Sequence, residues 1–448
     1  MTELERTLTR RDLVFAVIGN VVGSGIFLAP ADTLRAAGGV TGAALLVWLL
    51  GGVLCLLGAL TYAELGAANP QAGGIYCYIR DAFGPLPAFL YGWVLFLIIG
   101  PATVAALAVA SANYLRELVP LGGGGVRAAA VTMIVAIAAM NVAGARESAN
   151  VQNASAAVKT GALVALAAAL LALGHFRVLG GAPPAGGLPP SSLLTGVGSA
   201  MVGVLWAYEG WQWVTFSAGE TRDPQRTFPA GLVLGTAGLV GLYLLTNAGY
   251  FAALGPAAAS RSTSIAAAAV AATLGPGWGK AVAAMVILAT FSAAHSSVFT
   301  VPRVFYQMAR DGLFFRRLAE VHPRFHTPAA AIVWSTVLSV VLALTGTFDQ
   351  LLASVVFTAW IFYGLGAVAV FVFRRRAPAG IRVFRVPGYP VTPALFVAAS
   401  ALVVANTLAA QPLVSAAGLA VLLAGVPAFY AWRVRTPARP PALSPPAA

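Results

Sequence analysis

Apolar runs of about twenty residues recur along nearly the whole chain, and they constrain its fold more than any other feature of the sequence. A helix needs about 20 apolar residues to cross the hydrocarbon core of a bilayer. Charged residues make up 9% of the 448 residues, against about 25% in soluble domains. The sequence therefore predicts an all-α polytopic membrane protein.

Twelve runs are long enough to be predicted membrane spans. They cover residues 11–36, 40–66, 82–112, 126–145, 153–175, 195–219, 230–254, 277–307, 328–346, 349–373, 390–410 and 412–432. Residues 1–432 then form one predicted membrane domain, which is followed by a Pro-rich tail, 433–448, that is predicted to be disordered. Prolines and glycines predict a surface loop at 176–192, and an Ala-rich stretch predicts a short external helix at 256–276.

The distribution of basic residues predicts the orientation of these spans. The net charge is +13, and 19 Lys and Arg residues lie in alternate loops counted from the N-terminus, whereas 6 lie in the intervening loops. Loops rich in Lys and Arg face the cytoplasm, so both termini are predicted to be cytoplasmic. Topology thus explains the excess of positive charge, and no nucleic-acid partner is expected. The preference for Ala, Gly, Pro and Arg over Lys is typical of GC-rich bacteria and suggests a bacterial inner membrane.

The first span is interrupted in its middle by Gly23-Ser24-Gly25, one turn after Gly19. Glycine costs a helix interior about 1 kcal/mol relative to alanine, and broken backbone at membrane depth persists only where it faces protein or a cavity. A break leaves N–H groups free to bind an anion, and carbonyl groups such as that of Val21 free to bind an ammonium. Close packing between helices explains the glycines equally well when they are considered alone.

The sixth span has a comparable interruption at Trp206-Ala207-Tyr208-Glu209-Gly210-Trp211. Spans 1 and 6 are five apart, so each would begin a unit of five spans. Because five is odd, the second unit inserts in the opposite orientation. Paired interruptions in two halves indicate the binding site of a secondary transporter. We therefore predict a 5+5 inverted repeat, with spans 1–5 at about 11–175 and spans 6–10 at about 195–373, and two added spans at about 390–432.

Four ionisable residues in or near the predicted spans need separate explanations. Lys159 is one of two lysines in the chain. It extends to the membrane interface, serves as a fixed buried ammonium, or carries a proton. Glu209 is a functional candidate because a charge within a span is costly. It contacts substrate or takes part in coupling, pairs with a neighbouring charge, or is protonated and hydrogen-bonded. His295 is predicted to be a hydrogen-bonded structural residue, with a pH sensor as the alternative. Glu64 is predicted to pair with an arginine of a loop.

The sequence contains no motif for catalysis or for cofactor binding. It has no G-x-S-x-G, H-E-x-x-H, phosphate-binding loop or C-x-x-C. Cys55 and Cys77 lack the spacing of metal ligands and are predicted to be buried free thiols. We therefore expect no enzymatic activity, no cofactor and no metal.

Several motifs, at the right spacing and in order, resemble the amino acid/polyamine/organocation transporters, and most closely their L-type amino acid transporter branch. They are Val22–Phe27, Tyr62–Gly66 with Gly73–Gly84, Trp206–Trp211 with Gly219–Pro224, and Arg303–Gly312. The resemblance covers most of spans 1–10. It implies the LeuT-type fold and a sodium-independent secondary transporter of L-amino acids that works by alternating access, as an exchanger or a proton-coupled symporter.

The resemblance also implies roles for single residues. Ser24, Gly25 and nearby amides would hold the substrate carboxylate, and carbonyl groups of Val21, Trp206 and Glu209 the α-amino group. Lys159 matches a lysine that stands in place of a sodium ion in the family. The complete set of predicted substrate-binding residues is Val21, Val22, Gly23, Ser24, Gly25, Ile26, Trp206, Ala207, Tyr208 and Glu209.

The sequence departs from the family pattern at Glu209, where Gly or Asp is common, and at His295, where Asn is common. The side-chain specificity therefore stays open, and a cationic amino acid or polyamine carrier is the alternative. A non-transporting membrane sensor or a channel is an alternative from a different class. The loop from Arg116 to Arg127 lacks the cysteine through which eukaryotic members bind a heavy subunit, so no disulfide-linked partner is expected.

Overall fold

The computed structural model of the chain describes residues 6, 8–71, 73–174, 190–320, 322, 325, 327–376 and 384–435. Most of the predicted loop at 176–192 and of the predicted tail at 433–448 lies outside these residues. The described backbone is almost entirely helical, and its single extended pairing is a bridge between Leu8 and Thr221.

Seventeen α-helices make up the described part of the chain. In order they are α1 (Arg10–Val21), α2 (Gly25–Ala36), α3 (Thr41–Ala68), α4 (Ile75–Phe83), α5 (Pro85–Val94), α6 (Gly100–Leu115), α7 (Gly123–Ala143), α8 (Ala145–Leu173), α9 (Pro190–Ala207), α10 (Pro224–Arg261), α11 (Ile265–Leu274), α12 (Gly279–Thr300), α13 (Pro302–Arg310), α14 (Ala329–Thr345), α15 (Phe348–Arg376), α16 (Val391–Ala410) and α17 (Pro412–Arg435). A π-helix at Leu95–Ile99 joins α5 to α6. Three 3₁₀-helices lie at Trp211–Glu220, Pro276–Trp278 and Arg316–Ala319.

Nine helical segments of the described residues are long and apolar enough to cross a membrane. The bent pair α1 and α2 makes a tenth when it is counted as one span. The apolar helix α14 has only 17 residues. The predicted all-α polytopic architecture is thereby confirmed, whereas the number of twelve spans remains a prediction.

Glycine and proline shift the ends of two predicted spans. Gly84, with φ 93°, separates α4 from α5, so the predicted third span begins at Pro85 and not at residue 82. Inside this span the π-helix precedes Pro101, which lacks the N–H of a regular α-helical turn. Gly255, with φ 75°, interrupts α10 at the predicted end of span 7, and α11 follows as part of the predicted short helix.

The two interrupted spans occupy the middle of the molecule. Helix α1 packs against α8, α10 and α12, whereas α2 packs against α9 and α10. Helix α6 lies against α12, α14 and α15. The interior is closely filled with aromatic side chains, so these contacts hold both breaks inside protein, where unpaired backbone groups are tolerated.

The predicted ion pair of Glu64 is confirmed. Arg374 donates hydrogen bonds from Nε and Nη2 to the two oxygens of Glu64, at 2.8 and 2.6 Å. The N–H of Val386 donates to the same carboxylate at 2.7 Å, and the guanidinium lies 3.8 Å from the ring centre of Tyr389. Arg374 belongs to the last turn of α15 and not to a loop, so the pair ties α3 to α15 and to the segment before α16.

Candidate functional site

The first span breaks between Val21 and Gly25. Helix α1 ends at Val21, where the N–H of Val22 makes its last hydrogen bond to Ile18, and α2 begins at Gly25 after a bend of 56°. The carbonyl of Ser24 accepts the first hydrogen bonds of α2. The predicted interruption is therefore a true break into two half-helices.

The break leaves a cluster of unpaired N–H groups at the start of α2. Within the described residues no carbonyl accepts a hydrogen bond from the backbone N–H groups of Gly23, Ser24, Gly25 and Ile26. The first N–H groups of a helix have no partner inside it, and they carry its partial positive charge. This end of α2 therefore suits an anion, as the sequence predicts.

The two broken spans approach each other closely at Gly25. A Cβ atom on Gly25 would overlap the Cα and Cβ atoms of Ala207, the last residue of α9. Only glycine permits this approach. Close packing and an exposed helix N-terminus, which the sequence leaves as alternatives, thus occur together at this glycine.

The second break follows Ala207 directly. The N–H of Tyr208 still bonds to the carbonyl of Val204 at 3.1 Å, and that of Glu209 turns back to the carbonyl of Trp206 at 3.0 Å. Gly210 has φ 116°, a conformation that favours glycine, and a 3₁₀-helix begins after it. The second half of this span is therefore 3₁₀ rather than α-helical.

A cavity of about 20 Å³ lies between the two breaks. A volume of this size holds about one water molecule, so the cavity must widen to admit an amino acid. It is lined by Asn20, Val21, Gly23, Ser24, Gly25, Thr103, Leu107, Trp206, Glu209, Trp213 and Ala293. Six of the ten predicted substrate-binding residues are in this lining.

The other four predicted residues are buried outside the lining. Val22 and Ile26 are enclosed in the core, and Ala207 packs on Gly25. The ring of Tyr208 lies against Trp48, whose carbonyl accepts its hydroxyl hydrogen bond at 3.2 Å. Their role in binding stays a prediction, and for Tyr208 the geometry favours packing between α3 and the second break.

Trp206 lies across the first break. Its Nε1 donates a hydrogen bond to Oγ of Ser24 at 3.3 Å, and its ring packs edge-on against Phe348. The indole thus joins the start of α2 to the end of α9 and to the start of α15. The indole therefore covers the start of α2, where the substrate carboxylate is predicted to bind.

The side chain of Glu209 is held by two donors. Gln212 Nε2 and the hydroxyl of Tyr363 both donate to Oε1 of Glu209, each at 2.5 Å. Gln212 Nε2 also lies within hydrogen-bonding distance of the Tyr363 hydroxyl. Tyr363 belongs to α15, so this network connects the second break to a different span.

Lys159 contacts the first break from α8. Its Nζ donates a hydrogen bond to the carbonyl of Gly19 at 2.5 Å, and the residue is only 1% exposed. This burial rules out the alternative in which the lysine extends to the membrane interface. The ammonium instead binds a backbone carbonyl one residue before Asn20, which lines the cavity.

The sequence profile of the amino acid permeases matches residues 8–429, which include every element of this site. The chain belongs to the amino acid permease family. The predicted likeness to amino acid/polyamine/organocation transporters is thereby confirmed.

Relatives of this amino acid permease match it over almost its whole length. The human cystine/glutamate transporter is 32% identical over 436 residues, which are 96% of this chain and 85% of the relative. The serine/threonine exchanger SteT of Bacillus subtilis is 32% identical over 432 residues, 94% of this chain and 96% of the relative. The mouse large neutral amino acids transporter small subunit 2 is 30% identical over 427 residues, 92% of this chain and 78% of the relative.

Five lining residues of this amino acid permease were not predicted from the sequence. They are Asn20, Thr103, Leu107, Trp213 and Ala293. Asn20 could have been found from the sequence, since it is a polar residue in an apolar span, three residues before Gly23. Its Oδ1 accepts a hydrogen bond from Ser296 Oγ on α12. Trp213 follows the predicted second break by two residues. Thr103, Leu107 and Ala293 give no signal, because α6 and α12 reach the cavity only through tertiary packing.

His295 lies on α12, next to Ser296. Its Nδ1 is 3.3 Å from Oε1 of Gln152 on α8, and the residue is fully buried. Ser155 Oγ donates to Ser292 Oγ at 2.9 Å between the same two helices. The predicted hydrogen bonding of His295 is confirmed, and its partner places it in the α8–α12 contact and outside the cavity lining.

Proposed function

We propose that this amino acid permease carries L-amino acids across the inner membrane of a bacterium by alternating access, without sodium and with both termini in the cytoplasm. One observation carries the proposal: the unpaired N–H groups at the start of α2 face a cavity whose lining has no positively charged side chain. Those N–H groups suit a carboxylate. The substrate carboxylate binds there, chiefly to Ser24 and Gly25.

Carbonyl groups of the two breaks supply the opposite end of the proposed site. The carbonyl of Val21 accepts a hydrogen bond from Tyr243 at 3.2 Å and keeps a second lone pair. The carbonyl groups of Trp206 and Glu209, at the second break, complete this end of the proposed site. An α-amino acid, with its ammonium next to its carboxylate, spans the short distance between the two broken spans.

Lys159 supports transport without sodium. Its ammonium binds the carbonyl of Gly19 in the first broken span. A fixed positive charge at this carbonyl takes the place of a bound sodium ion, and it would repel a second cation there. The proposal therefore assigns Lys159 a permanent place in the cation site.

The relatives favour this function over the alternatives. The three relatives are described as transporters or exchangers of cystine and glutamate, of serine and threonine, and of large neutral amino acids. None of these descriptions favours a polyamine carrier, a sensor or a channel. We propose no enzymatic activity and no cofactor. We also propose no disulfide-linked heavy subunit, because the Arg116–Arg127 loop contains no cysteine.

A counterflow screen of purified protein in proteoliposomes tests the proposal. Vesicles are loaded with one unlabelled L-amino acid, and uptake of the same labelled compound is measured for each common amino acid and for polyamines. We expect internal substrate to accelerate uptake of at least one amino acid several-fold. Replacing external sodium with choline should leave that rate unchanged.

Two results would contradict parts of this proposal separately. Absence of counterflow with every amino acid would exclude the transport function. Uptake that rises steeply with sodium would retain transport but exclude the role assigned to Lys159. Vesicles without protein supply the background in both cases.

A further inference from the structure

Glu209 combines three properties that substrate anchoring does not require. It lies at the second break and lines the cavity, the residue is 8% exposed, and one of its carboxylate oxygens accepts hydrogen bonds from two other residues. The backbone of Tyr363 is itself fixed, because Tyr62 on α3 donates a hydrogen bond to its carbonyl at 2.8 Å. The carboxyl group is therefore held in a prepared pocket.

Among the described residues, those that line the cavity beside this carboxyl group include no positively charged side chain. The buried ammonium of Lys159 lies outside this lining, on the carbonyl of Gly19. Among the described residues Glu209 forms no ion pair. The charge of Glu209 acts on thiol and phenol groups of neighbouring helices, namely Cys55 on α3, Tyr91 on α5 and Tyr363 on α15. The cavity residues contributed by α1, α2, α6 and α12 have no titratable side chain.

The second oxygen of Glu209 opens to the cavity. No described residue donates a hydrogen bond to Oε2, and this atom is not among the fully enclosed unpaired polar atoms of the protein. Water entering the cavity therefore reaches Oε2, while Oε1 keeps its hydrogen bonds from Tyr363 and Gln212. A proton can be delivered to Oε2 without breaking the existing hydrogen bonds.

We propose that Glu209, with Gln212 and Tyr363, forms a proton-binding site that must be loaded for the cavity to close. A carboxylate without a cation is strongly disfavoured once water leaves a site at bilayer depth. In the open state, hydronium in the cavity transfers one proton to Oε2, which gives a neutral carboxylic acid and a water molecule. The proton returns to water when the cavity opens.

This site makes transport dependent on pH. As the pH rises, Glu209 is more often ionised in the open state, so closure becomes rarer and the rate falls. The inference rests on the proposed transport function, because closure of the cavity is a step of that cycle. The expected readout is therefore the shape of the pH profile and not the absolute rate.

Counterflow measured between pH 5 and 9, with equal pH on both sides of the vesicle, tests the proposal. We expect the wild-type rate to fall about tenfold or more toward high pH. Glu209→Gln, which resembles the neutral acid in shape, should give a rate that no longer varies with pH, whatever its size. Glu117→Gln makes the same chemical change at an exposed position after α6 and should keep the wild-type profile.

Tyr363→Phe provides a second test, which remains available if Glu209→Gln does not fold. The lost hydroxyl is one of two donors that favour the ionised carboxylate. Without it, the midpoint of the transport profile should rise by about one pH unit.

Each outcome decides between the two proposals. A wild-type protein without counterflow at any pH contradicts the transport function. Counterflow with a flat wild-type profile, or a Glu209→Gln profile equal to that of the wild type, overturns the proton site alone. A flat wild-type profile together with loss of counterflow in Glu209→Gln at every pH would show that the substrate ammonium, and not a proton, neutralises this carboxylate.

Discussion

At the scale of single residues, two glycines shape the site. Gly25 permits the approach of Ala207, and Gly210 adopts a φ of 116° next to the carbonyl of Asn20. Any side chain at these positions either collides with backbone or strains it. The geometry of the two breaks therefore depends on residues that contribute no functional group of their own.

Gly25→Ala should separate the two broken spans. The added methyl group overlaps Ala207, and overpacking of this kind costs about 1–3 kcal/mol. We expect a lower melting temperature of the purified protein and loss of the further stabilisation that a transported amino acid provides. Thermal unfolding with and without that amino acid measures both effects.

The matched control is Gly161→Ala on α8, where an added Cβ meets no atom within 4 Å. Helix propensity favours this change by up to about 1 kcal/mol, so stability should be kept or slightly raised. Ligand-dependent stabilisation should persist in the control. Equal ligand responses in Gly25→Ala and the wild type would show that the close approach is not needed for binding.

At the scale of elements, the short helix α4 is fastened to its neighbours by polar contacts. Arg80 pairs with Asp311, next to α13, at 2.6 Å, and the hydroxyl of Tyr76 donates to the same carboxylate at 2.8 Å. Arg376 of α15 donates to the carbonyl of Asp81 at 2.8 Å. Because α4 also packs against the second broken span through Gly74 and Thr215, these contacts connect that span to α13 and α15.

Cys77 of α4 should report whether these contacts are intact. Burial raises the pKa of Cys77 to about 12, because the positive charge of Arg80 offsets only part of the effect of burial. At pH 7.5 only about one thiol in 30,000 is then ionised, so maleimide labelling should be on the order of 10³-fold slower than for a free thiol. Labelling should rise about tenfold per pH unit between pH 7 and 9, measured by mass spectrometry in a Cys55→Ser background.

Asp311→Asn should loosen α4 and accelerate the labelling of Cys77. The change removes the charge that pairs with Arg80, in a bridge whose side chains are only 21% exposed. The control is Asp32→Asn, which removes a pair with Arg35 of the same length whose side chains are 59% and 70% exposed. An exposed pair contributes about 0–1 kcal/mol, so the control should label like the wild type. Unchanged labelling in Asp311→Asn would refute a fastening role.

At the scale of the whole molecule, charge sets the expected orientation in the membrane. The 19 basic residues of alternate loops predict that the loop containing Arg222 and Arg226 is cytoplasmic. The intervening loop that follows α6 and contains Arg116 is predicted to be external. Three predicted spans separate the two loops, so the loops are expected on opposite sides of the membrane.

Single cysteines test this orientation. In a protein lacking Cys55 and Cys77, Glu117→Cys should react with a membrane-impermeant maleimide added to spheroplasts of a bacterial host. Gln225→Cys, which is equally exposed in the structure, should react only after the membrane is permeabilised. The reverse pattern would place both termini outside and contradict the prediction from charge.

The sequence alone was sufficient for the features that depend on local physics. Long apolar runs require helices in a membrane, and glycines within two of these runs predict both breaks and the unpaired N–H groups of the first. These conclusions need only the backbone and its nearest neighbours along the chain, which is why they were correct for Gly23, Ser24 and Gly25.

The tertiary structure alone decided which side chains meet at the site. The hydroxyl of Tyr363 reaches Glu209 across 154 residues, and Lys159 reaches the carbonyl of Gly19 across 140. The same packing places Thr103 in the cavity lining and turns Tyr208 toward Trp48. Such contacts depend on how the helices pack against one another, and an apolar span carries little information in its own sequence about which helix it will face.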